Sequence, residues 1–307
     1  MTIQRPPTID KIAAQRWLQI VPPPDKNTSP WLHEEVARRM EERLSCMVQQ
    51  PKSWLHWQPL QGGLQVHSKL LDRYHHSACY VTEQTEAQNK LAQKLLTPAW
   101  WKARRWQSRL PQFKGPDEPI QMLWANMALH MAADPFALLQ RWHGLLAVDG
   151  FVMFSCLGPD TLIELRKVYA QMGWEEPAHQ FTDMHDWGDM LVQAGFAEPV
   201  MDMERIRLTY SSPESLIAEL RQLGRNLHVQ RHGALRGRTW KKDLYHAISQ
   251  NMQENANDGR LSLTFEIIYG HAFKPVPRIK MQSQATFTLE QMQTALRQTN
   301  SDAKNRQ

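Results

Sequence analysis

The chain has 307 residues, 42% of them apolar, with a formal net charge of +5 and an isoelectric point near 9.1. That size admits one large α/β domain with an insertion, or two small domains, and the apolar share is enough for a packed core. Mild basicity favours acidic partners, whether nucleic acid, anionic membrane or acidic protein, without choosing among them.

Cys46, Cys79 and Cys156 lie far apart and form no C-x-x-C pair. This argues against a disulfide framework or a zinc site, and for free thiols in a reducing cytoplasm. The start, MTIQRPPTIDK, lacks the apolar run of a signal peptide. No stretch approaches the ~20 apolar residues of a membrane span, so a cytoplasmic protein with no membrane partner is expected.

In chain order, residues 1–30 carry Pro6, Pro7, Pro22, Pro23, Pro24 and Pro30 and read as a loop-rich segment. Val36, Met40, Leu44 and Met47 recur at spacings of three and four and predict a helix over 31–48, stopped by Pro51. Residues 53–57 (SWLHW) predict a short buried strand, Gly62-Gly63 a turn, and 64–73 a helix. A second strand is predicted over 78–82, ending at Glu83, and a helix over 85–96. Residues 99–116 are Trp-rich and basic and predict a loop or an irregular helix.

A third strand is predicted over 119–125, a helix over 135–146, a turn at Asp149-Gly150 and a buried strand over 151–156. Helices follow at 160–171 and 186–194, the second closed by Gly195. A long strand over 200–210, helices at 213–224 and 238–253, and a last strand over 261–273 complete the pattern. Strands alternating with helices predict a mostly parallel sheet covered on both faces. The expected division is a 1–30 segment, a domain over 31–274 with a helical insertion at about 211–258, and a frayed polar tail over 275–307.

From about residue 119 to 274 the sequence resembles the malonyl-acyl-carrier-protein O-methyltransferases of biotin synthesis. The matching stretches include Asn126-Met127-Ala128-Leu129-His130, Leu157-Gly158-Pro159-Asp160-Thr161-Leu162 and Phe181-Thr182-Asp183-Met184-His185-Asp186-Trp187-Gly188-Asp189. Thr264-Phe265-Glu266-Ile267-Ile268-Tyr269-Gly270-His271-Ala272 matches near the end. The resemblance implies a Rossmann-like class I methyltransferase sheet, mostly parallel with an antiparallel late strand. It also implies S-adenosylmethionine as cofactor, an acidic acyl carrier protein as partner, and methylation of the free carboxylate of its malonyl group.

The cofactor half departs from that pattern. The family carries V-L-D-x-G-x-G-x-G after the first strand, glycines that let the backbone approach the cofactor. Here the run is Trp54-Leu55-His56-Trp57-Gln58-Pro59-Leu60-Gln61-Gly62-Gly63, with His56 or Trp57 where the acid stands. The resemblance leaves Gly62, Gly63, Glu83 and Asn126 as candidate cofactor residues. Glu83 stands where the family's acid accepts hydrogen bonds from the ribose hydroxyls, and Asn126 follows the third strand. A strand-to-helix turn, a solvated acid and a helix cap are the structural alternatives for these four.

Arg166 and Arg225 are the candidates for the malonyl carboxylate, which a guanidinium fork binds in two places. Either is equally a surface charge. No general base is required, because the carboxylate is already ionised, and no catalytic residue is assigned. His130 reads as a supporting or surface group. Asp183, His185, Asp186 and Asp189 read as helix-start acids with one histidine, so no metal is expected.

Residues 221–242 hold Arg221, Arg225, Arg231, Arg236, Arg238, Lys241 and Lys242 and no acid. This run suits an acidic carrier, a plain solvated face, or nucleic acid, in that order. An active methyltransferase and a catalytically silent relative that binds a carrier protein or partner subunit both remain open.

Overall fold

The computed structural model describes residues 9–20, 29–97, 110–234, 236–252 and 259–277. Six strands form one sheet: β1 Ser53–Trp57, β2 Ala78–Thr82, β3 Ile120–Ala125, β4 Leu146–Leu157, β5 Ala197–Tyr210 and β6 Leu261–Phe273. Their order is β2-β1-β3-β4-β6-β5. The first four pair in parallel, and β6 runs antiparallel to both β4 and β5.

Side chains alternate across each strand, so β1 feeds two cores. Trp54 packs on one face with Met40, Leu70 and Trp124. Leu55 and Trp57 pack on the other with Trp142 and Trp187. Helices cover both faces: α2 Trp31–Arg43 and α4 Gln65–Arg73 pack together on the first, α6 Pro135–Leu145 and α8 Met184–Gln193 lie over the second. A one-turn helix α3, Pro59–Gly62, links β1 to α4, and α5 spans Glu86–Leu96. Helix α7, Ile163–Gln171, follows β4, and the insertion between β5 and β6 supplies α9 Pro213–Leu223 and α10 Arg238–Asn251.

Three expectations need correction. The segment before residue 30 is not all loop: α1 spans Lys11–Leu18, with the Asp10 carboxylate accepting from Ile12 N at 2.9 Å and Ala13 N at 3.1 Å. The 31–48 helix is shorter and ends in a 3-10 turn over Leu44–Cys46. Asp149-Gly150 is not a turn between elements but an irregularity inside β4, where the register with β3 shifts and Lys274 N bonds Gly150 O.

Gly195 does close α8: at φ 101° it lets Phe196 N reach Leu191 O at 3.0 Å. Gln112 bonds the outer edge of β2 through Cys79 O and Val81 N, both at 2.9 Å. The basic stretch carrying Lys102, Arg104, Arg105 and Arg109, and the tail beyond residue 277, lie outside the described residues. No described helix is long and apolar enough to cross a membrane.

Candidate functional site

Ligands of open α/β sheets sit beyond the carboxyl ends of the parallel strands. Here those ends are Trp57, Thr82 and Ala125. The turn after β1 starts at Gln58, held left-handed at φ 53° by bonds from its own N–H to Thr82 O and from Gly62 N to its carbonyl. A left-handed turn is what glycine supplies cheaply. This chain keeps that turn without the glycine, and accepts the strain of a branched-off side chain there.

A hollow lies against this turn, lined by Gln58, Gln61, Glu83, Gln88, Trp17 and Met127 among others. Its volume is about 30 Å³. That is close to one water molecule's share of liquid, whereas small-molecule pockets run to about 300–1,000 Å³. The tryptophans of β1 do not fill it. Trp54 and Trp57 point into the two cores, Trp57 edge-on to Trp142 at 5.8 Å. Among the described residues of the lining, Trp17 of α1 supplies the one indole.

Glu83 sits half-buried at the end of β2 and accepts the Leu60 N–H at 2.8 Å. Burial pushes its carboxyl up to about 8, with the Leu60 N–H pulling the other way. Its own N–H donates to Asn89 Oδ1 at 3.0 Å. Next along, Thr85 and Gln88 form a reciprocal cap on α5. Gln88 Nε2 then donates to Leu18 O and Ile20 O, both at 2.9 Å, which ties the N-terminal segment over the hollow. The other end of α1 is held by Asp10, which pairs with Arg231 at 2.7 Å and bonds Leu227 O through its N–H.

Gly62 and Gly63 are buried and do not line the hollow. A methyl group on Gly62 would meet Asn126 O at 2.9 Å, and one on Gly63 would meet Ala37 Cβ at 3.0 Å. Asn126 is buried and spent: its Nδ2 donates to His33 O at 2.8 Å and to Gly62 O, and its Oδ1 accepts from Ser155 Oγ at 2.6 Å. His56, at the acid's position, lies 3.0 Å from His67 inside the core. The structure therefore brings Gly62, Glu83 and Asn126 together around α3, but as a packed joint.

Arg166 is also spent. It donates to His179 O at 2.7 Å, Ala178 O at 3.3 Å and Thr161 O at 3.4 Å, and pairs with Glu176 at 3.1 Å. Arg225 is exposed, donates through Nη1 alone to the Arg221 and Gly224 carbonyls, and stacks 5.3 Å over Trp17. Trp17, on which it stacks, and Leu223 line the hollow, whereas Arg225 itself does not. Asp183 caps α8, accepting from His185 N at 2.8 Å. Trp17, Gln58, Gln61 and Gln88 were not singled out from the sequence. The T-x-x-Q signature at Thr85–Gln88 was the one legible signal for that group.

The strand order, antiparallel late pair and two-sided helical cover define a class I methyltransferase fold, the S-adenosylmethionine-dependent class. The chain belongs to the malonyl-[acyl-carrier protein] O-methyltransferase family. Its relative of that name in Gallionella capsiferriformans is 35% identical over 273 residues, covering 84% of this chain and 89% of the relative. A Halorhodospira halophila relative is 32% identical over 246 residues, covering 79% and 81%. The Laribacter hongkongensis relative is 43% identical over 161 residues, about half of each chain. No family model matches the sequence. A solved putative methyltransferase from Bacillus halodurans aligns with a TM-score of 0.49 at 16% identity, covering 79% of this chain and all of that one.

Membership raises the question of the cofactor's fit. Pro59 and Leu60 are buried, both surviving glycines face the protein, and Glu83 commits an oxygen to Leu60. The residues present do not fit S-adenosylmethionine in this form.

Proposed function

We propose that the chain engages malonyl-acyl carrier protein, the substrate in its relatives' names, as a member of their methyltransferase family. The observation that carries this is the end-to-end relationship, 84% of this chain against 89% of the relative. Methylation of the malonyl carboxylate is the activity that goes with that name.

The chain's own residues support the recognition half. Arg225 is exposed, stacks on Trp17 of the hollow's lining and bonds the described residues through Nη1, so Nε and Nη2 would bind a malonyl carboxylate by two parallel N–H bonds. In the same insertion Arg221, Arg238, Lys241 and Lys242 are exposed, a field suited to an acidic carrier. The catalytically silent alternative is favoured by one specific observation, the 30 Å³ volume of the hollow.

The test is surface plasmon resonance of the full chain against malonyl- and acetyl-acyl carrier protein, followed by mass spectrometry of the malonyl form after incubation with S-adenosylmethionine. Tighter binding of the malonyl form is expected, because only it carries the free carboxylate. Failure to bind either form overturns the proposal. A methyl ester in the mass spectrum identifies the active enzyme.

A further inference from the structure

Carrier recognition leaves two features unexplained: an acid of the hollow's lining turned inward, and beside it two glycines with no open face. In a ribose site both carboxylate oxygens must face the sugar's hydroxyls. Here Glu83 Oε1 is 2.8 Å from Leu60 N, the amide of the second residue of α3. The first N–H groups of a helix have no partner within it, so a carboxyl oxygen that accepts from one of them is a cap, whether or not the acid is ionised.

The remaining contacts tighten the same joint. Gln58 N and Thr82 O bond at 2.8 Å, closing β1 onto β2 beneath Glu83. Asn126 Nδ2 grips Gly62 O at the far end of α3, while His33 Nδ1 donates to Gln61 O at 2.8 Å. Around this turn Gln58 N, Gln58 O, Pro59 O, Leu60 N, Gln61 O and Gly62 O are each paired within the chain. Among the described residues of the lining there is no lysine or arginine beside Glu83. By contrast a crevice elsewhere, between Cys46–Gln49 and β6, opens to about 420 Å³, so the closure is local.

We infer that Glu83 serves as a structural cap that converts the cofactor cradle into a closed joint, so that the chain holds malonyl-acyl carrier protein without loading S-adenosylmethionine. The carrier clause rests on the proposed function; the joint does not.

The two separate in one experiment. Thermal unfolding of wild type, Glu83→Gln and Glu83→Ala is followed with and without millimolar S-adenosylhomocysteine, and carrier binding is measured on the same samples. A ligand that binds only the native state must raise Tm. No rise is expected for the wild type. Glu83→Gln keeps an oxygen acceptor for Leu60 N and should hold the wild-type Tm, whereas Glu83→Ala should lose about 2–4 °C, the loss of one cap.

A saturable rise of wild-type Tm with S-adenosylhomocysteine, abolished in Glu83→Gln, overturns the inference and returns Glu83 to the ribose. If Glu83→Ala does not fold, the comparison of wild type with Glu83→Gln still decides. Loss of carrier binding in wild type would instead sink the proposed function and leave the joint standing.

Discussion

Gly62 and Asn126 are packed so closely that a methyl group on the glycine would sit 2.9 Å from the Asn126 carbonyl oxygen. That oxygen belongs to the backbone leaving β3, and the Asn126 side chain is pinned by Ser155 and His33. Neither partner can give way cheaply. Gly62→Ala should therefore destabilise by about 1–3 kcal/mol, the range of core overpacking. Urea unfolding measures it. An unchanged midpoint would show that the glycine is there for a ligand and not for packing.

His56 and His67 stack at 5.3 Å in a dry environment beside Trp54, each without a partner for its Nε2. Burial lowers His67 to about 3, and burial plus the neighbouring His67 lowers His56 well below the usual imidazole range. His33 and His179 are each lowered to about 4 by burial, and His130 is lowered too. A group depressed in the folded state takes up protons on unfolding. Stability is thus complete above pH 6.5 and lost as pH falls toward the folded values.

The full chain should unfold cooperatively between these limits, with about one proton taken up per buried histidine. Replacing the pair by His56→Leu with His67→Phe removes two of those protons. The acid midpoint, read by tryptophan fluorescence, should move to lower pH. A midpoint that does not move would mean that the pair is already protonated in the fold.

Much of the frame was legible in the sequence, because patterning sets it. The runs SWLHW, ACYVT and LSLTFEIIYGHAF form strands with the expected bounds, being short or long apolar stretches between turn residues. Glu83 was legible as a strand-end acid, but whether its oxygen faces a ribose or Leu60 depends on a contact 23 residues away. The same holds for the basic run. Arg231 meets Asp10 and Arg236 meets Glu175, partners 221 and 61 residues distant that no local window reveals. Helix α1 was missed because prolines on both sides outweighed its short Asp10-capped pattern.

Arg166 and Arg225 looked equivalent by residue type, and their surroundings separate them. Arg166 gathers the 176–179 loop onto α7 through two carbonyls and one carboxylate, and bonds Thr161 O as well. Arg166→Ala should cost roughly 2–4 kcal/mol, since several partly buried acceptors lose their donor. The variant, once folded, should bind malonyl-carrier protein as the wild type does. Arg225→Ala should do the opposite, with Tm nearly unchanged and the preference for malonyl over acetyl carrier lost. Equal effects of the two on that preference would contradict the assignment.

Helix α10 begins with Arg238, Lys241 and Lys242 and has no acid in its first turn. Cations at a helix start oppose the positive end of the helix dipole, so local stability does not account for them. Leu244, Ala247 and Ile248 bury the opposite side, which leaves the basic side chains exposed. If an acidic carrier docks here, long-range attraction sets the association rate and salt screens it within about 8 Å at physiological ionic strength. Lys241→Glu with Lys242→Glu should lower the carrier's association rate about tenfold at low salt. Little change is expected in its dissociation rate or in Tm. Wild type and variant should converge as salt rises. Stopped-flow fluorescence across a salt series measures both. Rates that are insensitive to salt, or a random DNA duplex that displaces the carrier, would remove the carrier from this surface.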